Sequence, residues 1–564
     1  MKILKIDYLE NNYNNINFKS KPILTNKKIK PKMDLFCKSQ EIKEGLMKKF
    51  IKLRDSFAEK YYPAFVEYCV SEWDFYINST KKNMKINNEK SEIFYKLLQD
   101  EVLYKKFLKI EKIDLDKREK LQLKNIINIL KEQVVSGEEL EKLREIENKI
   151  AQKKNSFVFK IDNKEISKTE ISKILEKEKN IELRKKAYTA NIESADLIAE
   201  DLKGFVIKRN EYAKKIGYSN YYEYKLKEDY EVELEYLENL LNEVFNNSKD
   251  LIKKYSKQEQ EELAKTFGIN IKDLKAYHYG LLIDKNPQSK INEYIKNKEL
   301  IPEISKKTYL GMGFDIENFE KEGKLVLDLY PRKGKNTHGF CFPNDAGLDV
   351  RILANLTNNY TSLETLLHEL GHAVYNLNIS RDLTVFERNT YPAMDEAIAM
   401  MMQDLALKEN ILEDIIPKNL LKEFKQTYIK EELNFIKKAL LLINFEKEMY
   451  KNPKQDLKKL WHDLKIKYQM RNKSEDLDNG WALIPHYISH PAYYQNYFRA
   501  TIIKVQIYNY LKEKLGNITE NKETSKVLTK NLFTYGLSMK ENELIENLTG
   551  KILSTDDFIK SIKD

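Results

Sequence analysis

The sequence predicts a mainly α-helical protein of two or more lobes, with a small β-sheet in its second half. Of its 564 residues, 41% are hydrophobic and 33% are charged, with only 17 Gly and 12 Pro. This composition is typical of a globular, helix-rich protein rather than a disordered one. A chain of this length also exceeds what one simple core accommodates. The sheet is predicted to begin near residue 324, because the spacing of apolar residues changes there from helical to alternating.

Charged amphipathic helices fill the first two hundred residues. Two such segments are residues 41–74 and the Lys/Glu-rich run 121–153, and residues 156–162 are predicted as a short strand or a loop. Helices are predicted again at 181–188 and 205–213. We place the boundary between an N-terminal helical lobe, 1–200, and a second domain, 201–564, near residue 200.

Three short strands are predicted after residue 324. In the first, Leu325, Leu327 and Leu329 alternate with other side chains; the second and third are 338–342 and 349–353. A free sheet edge can pair with an extended peptide backbone, so this sheet is a candidate substrate-binding surface. The alternative is a purely structural sheet.

The most informative stretch, residues 360–377, follows this sheet. Leucine and valine recur at helical spacing along it, and Thr361 with Glu364 resembles a capping box at the helix start. His368 and His372 are one turn apart on the same helix face and can hold one metal ion between them. Glu369 lies between them, where its carboxylate can take a proton from a metal-bound water. This is the H-E-x-x-H pattern of zinc peptidases.

A third ligand is predicted at Glu396. It lies in the apolar run 394–402, which predicts a buried helix, and a buried carboxylate needs a partner. Ligation of one Zn²⁺ per chain would provide that partner and leave the fourth position for water. The alternative is an ion pair with Lys or Arg. The neighbouring Asp395 is assigned no role, because successive side chains on a helix diverge.

Residues 481–497 form a second candidate segment, with two histidines and four tyrosines. Hydroxyl and imidazole groups can donate hydrogen bonds to the oxyanion that forms during peptide hydrolysis. The alternative is aromatic core packing, since the chain has 35 Tyr in all.

Charge and cysteine content argue against several other classes. The net charge of +10 comes from 98 basic and 88 acidic residues mixed throughout, with no basic stripe, so nucleic-acid binding is not expected. Three separated cysteines predict no disulfide framework. Residues 1–7 lack the apolar core of a signal peptide, and the run 439–443 is too short to span a membrane. We therefore expect a cytoplasmic protein that does not bind membranes.

Taken together, these motifs resemble one clan of zinc peptidases: the oligoendopeptidase F and thimet oligopeptidase group, with the related angiotensin-converting-enzyme-like group. The resemblance rests on the two metal helices, on residues 328–338 and on residues 486–497. Shorter segments at 73–76, 209–213 and 548–551 are also similar to these families. The likeness is strongest from about residue 200 onward.

The resemblance implies an elongated, two-lobed, nearly all-α fold with zinc at the floor of a deep central channel. It implies that His368, His372 and Glu396 bind zinc and that Glu369 is the general base. It assigns stabilisation of the oxyanion to His486 and Tyr497. It assigns substrate binding to His338, Gly339, Cys341 and Tyr494. Such a channel admits short unstructured peptides and excludes folded proteins.

Two departures leave the cleavage mode open. Residues 498–501 follow the converting-enzyme pattern, whereas Pro485 stands where those carboxydipeptidases offer a lysine for the substrate's C-terminus. We favour an oligoendopeptidase, with a peptidyl-dipeptidase as the alternative. A peptide-binding protein without catalysis and a basic interaction protein are the hypotheses from other classes. Cleavage-site preference, the physiological substrate and the oligomeric state are not readable from the sequence.

Overall fold

Helices dominate the computed structural model, which describes residues 30–112, 115–134, 137–281 and 287–563. Residues 1–7, which carried the prediction about a signal peptide, lie outside these ranges. The mainly α-helical class is confirmed. The α-helices, in chain order, are α1 (Lys30–Ile77), α2 (Lys81–Leu98), α3 (Glu101–Glu111), α4 (Lys117–Val134), α5 (Gly137–Asn155), α6 (Lys168–Lys177), α7 (Ile181–Lys215), α8 (Tyr221–Glu228), α9 (Leu234–Phe267), α10 (Pro287–Ile291), α11 (Leu300–Met312), α12 (Ile316–Lys321), α13 (Tyr360–Leu377), α14 (Pro392–Lys408), α15 (Lys418–Lys425), α16 (Tyr428–Lys451), α17 (Leu457–Gln469), α18 (Pro485–Ser489), α19 (Tyr494–Leu515), α20 (Glu523–Asn531), α21 (Glu541–Thr549) and α22 (Asp556–Lys563).

The N-terminal predictions are confirmed in type but differ in their boundaries. The segment 41–74 lies within α1, whereas 121–153 is divided between α4 and α5. The helices predicted at 181–188 and 205–213 are parts of the single helix α7. The predicted strand or loop at 156–162 contains β1 (Phe159–Ile161), which pairs with β2 (Lys164–Ile166). Asp162 and Asn163 connect them with φ of 51° and 62°, the left-handed geometry of a two-residue hairpin turn.

Buried apolar side chains form two main cores. One draws on α1 to α4 and also includes Phe386, while the larger one extends from Leu143 to Ile562. The loop between α13 and α14 joins them. In this loop Phe386 stacks on Phe57 with ring centroids 5.3 Å apart, and the buried Glu387 accepts hydrogen bonds from Arg118 (2.7 Å) and Gln122 (3.0 Å). The N-terminal helices thus hold the connection between the two helices that carry the predicted metal ligands.

The predicted three-stranded sheet is confirmed. Its strands are β3 (Leu325–Asp328), β4 (Phe340–Asp345) and β5 (Asp349–Leu353), in the order β3-β5-β4. Strand β5 is parallel to β3 and antiparallel to β4. Among the described residues, only β5 pairs with β4, so the other side of β4 is an edge. Strand β4 begins two residues later than the predicted second strand, so His338 and Gly339 precede it.

Helices α13 and α14 pack closely at Gly371. A Cβ atom at this position would lie 2.7 Å from the Cα of Ala399, closer than side chains tolerate. The leucine and valine stripe of α13 is buried as predicted. The absence of a side chain at Gly371 thus permits the backbone contact that sets the position of α14.

The structure also bears on the predictions about membrane spans and disulfides. Within the described ranges, no helix has the length and apolar character needed to cross a bilayer. Cys69 and Cys341 are free thiols, and the side chain of Cys37 is not among those described.

Candidate active site

The two histidines of α13 point their Nε2 atoms at one another. These nitrogens of His368 and His372 are 3.2 Å apart, as expected for side chains one turn apart on a helix face. The prediction of a capping box at Thr361 is wrong. The helix begins at Tyr360, and Asn359 is its cap, with a side chain that accepts a hydrogen bond from the N–H of Ser362. Thr361 is already in the first turn, and asparagine caps a helix at least as well as threonine.

Glu396 lies beside both histidines, as predicted. Its Oε2 atom is 3.7 Å from Nε2 of His368, and the three candidate ligand atoms all lie within 4.8 Å of one another. The side chains are largely buried, with exposed fractions of 21% for His368, 12% for His372 and 12% for Glu396. In the part of the chain that the structure describes, no Lys or Arg pairs with Glu396, so the alternative of a salt bridge does not apply.

These three side chains fit a zinc ion. Two nitrogens at ordinary Zn–N distances of about 2.0–2.1 Å from a tetrahedral ion lie about 3.3 Å apart, close to the spacing of the histidines. Oε2 of Glu396 is buried without a hydrogen-bond partner, as a metal ligand would be in a structure that contains no ions. Burial alone would lower the pKa of His372, but Asp395 and other nearby carboxylates outweigh it and raise the pKa to about 10. The same negative charge favours a bound cation.

Each histidine has a partner for its other ring nitrogen. Oδ2 of Asp395 lies 3.1 Å from Nδ1 of His372, and Oε1 of Gln403 lies 3.1 Å from Nδ1 of His368. Asp395, to which the sequence analysis assigns no role, thus contacts a candidate metal ligand. The side chains of Asp395 and Glu396 do diverge, but the two nitrogens of an imidazole also point apart, so neighbouring carboxylates can approach its opposite sides. Such partners orient metal-binding histidines and raise their basicity.

Glu369, on α13 between the two histidines, is buried against the start of β4. Its side chain is 8% exposed, and the backbone N–H of Cys341 donates a hydrogen bond to its carboxylate. A Cβ atom at Gly339 would lie 3.4 Å from its Oε1, so the missing side chain leaves room beside the carboxylate. Burial raises the pKa of Glu369 to about 7. A carboxylate with such a pKa can both accept and return a proton near neutral pH.

The aromatic segment 486–497 packs beside the metal site. The ring of His486 lies 4.7 Å from that of Tyr494 and 6.1 Å from that of Tyr497. Burial lowers the pKa of His486 to about 4, so the imidazole is neutral at pH 7 and one ring nitrogen carries a proton. The Tyr493 hydroxyl donates to Oε1 of Glu396 over 3.4 Å. Sequence reasoning missed Tyr493, since four tyrosines in one segment gave no means of choosing between them.

His338 lies two residues before the start of β4. Its side chain is exposed, and its Nδ1 lies 3.3 Å from Oδ1 of Asn336. Gly339 and Cys341, by contrast, both adjoin Glu369. The substrate-binding roles of His338, Gly339, Cys341 and Tyr494 stay predictions.

A helical fold with an H-E-x-x-H helix and a third ligand from the next helix defines a class, the zinc metallopeptidases. Comparison with known proteins gives the family: residues 174–564, over two thirds of the chain, match peptidase family M3, and the chain belongs to that family. Members of this family bind zinc, and His368, His372 and Glu396 are the candidate zinc site.

A curated relative agrees with this assignment. The chain is 26% identical over 199 residues to oligopeptidase PepF of Bacillus subtilis (strain 168). The aligned part is 33% of this chain but only 28% of that relative, so the chain spans less than a third of its length. The resemblance to the oligoendopeptidase F and thimet oligopeptidase group is confirmed.

Proposed function

We propose that the protein is a zinc-dependent oligoendopeptidase that hydrolyses internal bonds of short, unstructured peptides. The observation that carries this proposal is the convergence of three metal ligands beside the buried carboxylate of Glu369. A peptide-binding protein without catalysis would not need a general base such as Glu369, whereas a hydrolase does.

The roles of the side chains follow from their positions. Zinc, when bound by His368, His372 and Glu396, supplies a Lewis acid that polarises the peptide carbonyl and lowers the pKa of water. Glu369 accepts the proton of the attacking water and returns it to the leaving amine. The neutral imidazole of His486 and the hydroxyl of Tyr497 are donors for the carbonyl oxygen as it becomes negative.

Substrate binding is assigned to the edge of β4. A peptide in extended conformation can add to this edge through main-chain hydrogen bonds, and the backbone of β4 already contacts Glu369. His338, Gly339, Cys341 and Tyr494 are the candidate substrate contacts.

The proposed architecture is elongated and two-lobed, with a deep channel between an N-terminal lobe, 1–200, and the catalytic domain, 201–564. It is supported by the separate core of α1 to α4 and by their contacts with the α13–α14 loop. A narrow channel would limit the substrates to short peptides. We likewise propose a cytoplasmic location and no nucleic-acid partner.

The alternative peptidyl-dipeptidase needs a cation for the C-terminal carboxylate of its substrate. Arg499 follows Tyr497 in sequence, but it is 3% exposed and pairs with Glu541. Arg499 is therefore not free to bind that carboxylate. Peptides with a C-terminal amide separate the two modes, because only a dipeptidase depends on a free carboxylate.

The test is mass spectrometry of products from a pool of N-acetylated, C-amidated peptides of 6–15 residues. We expect internal cleavage that stops with a chelator and returns with zinc. The Glu369→Gln variant should keep one zinc per chain and lose at least about a thousandfold in kcat. Full turnover by this variant, or no cleavage by the zinc-loaded protein, would overturn the proposal.

A further inference from the structure

A cavity of about 450 Å³ extends along the edge of β4. The four consecutive β4 residues 341–344 line it, together with parts of α1, α4 and the α13–α14 loop. No residue of β5 lines the cavity, and the pairing of β4 with β5 is irregular between Phe342 and Asp345. We therefore place the cavity on the side of β4 that β5 leaves free.

The cavity adjoins the catalytic carboxylate. Cys341 lines it and donates its backbone N–H to Glu369. Asn376 also lines it, and the Asn376 side chain donates to the carbonyl of His372 over 2.9 Å. A peptide that pairs with β4 therefore has side chains in or beside this cavity within a few residues of the scissile bond.

One face of β4 is turned toward α1. The ring of Phe342 lies 5.4 Å from Trp73, and that of Phe340 lies 5.6 Å from Tyr76, both residues of α1. Side chains alternate along a strand, so every second side chain of a peptide added to β4 also points toward α1. Glu72, which immediately precedes Trp73 in α1, lines the cavity.

Glu72 is the carboxylate in this cavity that lacks a cation. Its side chain is half-buried and accepts a long hydrogen bond of 3.5 Å from the hydroxyl of Tyr68. Among the described residues, no Lys or Arg forms an ion pair with it. Burial raises the pKa of Glu72, so its charged form gains from a cationic partner.

The other charged groups of the cavity have partners. Glu231 pairs with Lys124 over 2.7 Å, and Asp229 pairs with Lys225. Arg388 lies 3.4 Å from Asp345. Asp345 also pairs with Arg381, so Arg388 shares its partner. Among the carboxylates that line the cavity, Glu72 is thus the one without a cationic partner in the described residues.

Aromatic rings form much of the remaining wall. They can cover the aliphatic stem of a long side chain and attract a cation through their faces. These rings belong to Tyr61, Phe65, Phe342, Phe386 and Tyr391.

We propose that this cavity is a specificity pocket for a lysine or arginine side chain of the substrate, with Glu72 as its counter-ion. The inference rests on the proposed peptidase function and adds to it a preference in cleavage. Helix α1 lies outside the residues that match family M3, so the pocket combines the family's β4 with a part of the chain beyond the match.

The experiment uses N-acetylated, C-amidated octapeptides that differ only by Lys or Met at one position, with that position moved along the peptide. Binding is measured by fluorescence anisotropy in the Glu369→Gln background, where the peptide is not consumed, and kcat/KM is measured with Glu369 intact. At one position we expect Lys to be preferred over Met, in binding and in kcat/KM, by about tenfold, the value of one charge-assisted contact.

The test variant is Glu72→Gln, and the control is Asp74→Asn, which removes the same charge from an exposed position two residues along α1. Glu72→Gln should abolish the preference for Lys over Met, while Asp74→Asn should keep that preference. Glu72→Lys should favour Glu at the same position.

An equal preference for Lys and Met in the wild type, or a preference that survives Glu72→Gln, would overturn the pocket. Failure of the proposed function looks different, because no peptide would then be cleaved even though the binding measurement still reports on the pocket. Zinc content and thermal unfolding of each variant show whether a lost preference reflects the missing carboxylate or a damaged fold, and only the former supports the proposal.

Discussion

The close contact at Gly371 gives the sharpest prediction about the metal site. A methyl group at this position, one residue before His372, would lie 2.7 Å from the Cα of Ala399 and 3.3 Å from the Cβ of Met402. Carbon atoms in contact are ordinarily about 3.5–4.0 Å apart, so α14 would have to move away from α13 by roughly 1 Å.

That movement acts directly on the third ligand. Glu396 is three residues before Ala399 on the same helix, so its carboxylate would move with the helix, whereas metal–ligand distances tolerate only about 0.2 Å. We expect Gly371→Ala to weaken zinc binding at least about tenfold. We also expect the metal-free protein to lose about 1–3 kcal/mol of unfolding free energy, the usual effect of overpacking.

Zinc affinity is measured by competition with a chromophoric chelator, and unfolding by urea titration of the metal-free protein, which separates packing from metal binding. The matched control is Gly204→Ala in the interior of α7, where nothing lies within 4 Å of an added Cβ atom. This control should be neutral or stabilising by up to about 1 kcal/mol. If Gly371→Ala bound zinc and unfolded like the wild type, the helix contact would not be what positions Glu396.

Three further predictions follow from other contacts. Asp395→Asn should weaken zinc binding about 10- to 100-fold in the same competition assay, because it removes the negative partner of His372; an unchanged affinity would contradict this role. Tyr497→Phe should lower kcat about a hundredfold while zinc content stays at one per chain, and an unchanged kcat would remove Tyr497 from oxyanion stabilisation. Burial alone would raise the pKa of Glu387, but hydrogen bonds led by that from Arg118 outweigh it and hold the pKa below its usual range. The ionised Glu387 therefore stabilises the fold above the unfolded pKa of about 4.3, and this stabilisation is lost as pH falls through the lower folded pKa. Urea titrations at pH 7 and pH 3 should show that the free energy of unfolding falls less between these two pH values for Glu387→Gln than for the wild type.

Local features of the site could be predicted because they depend on neighbours in sequence. The spacing of His368, Glu369 and His372 needs only the geometry of one helix. Glu396 could be found across a loop because a carboxylate among apolar neighbours must have a partner. The cap of α13 was predicted at the wrong residue, because Thr361 and Asn359 both have side chains that can cap a helix and the sequence pattern does not distinguish them.

The sequence by itself determined the helical class, the small sheet and the identity of the three metal ligands, since periodicity and the cost of a buried charge are properties of short segments. Only the tertiary structure decided which groups surround those ligands: Asp395, Gln403 and Tyr493 reach the site because α13, α14 and the start of α19 pack together. It also decided that Glu72, far earlier in the chain, lines one cavity with the strand beside Glu369. Such contacts depend on how closely helices approach, and a single missing side chain at Gly371 sets that distance here.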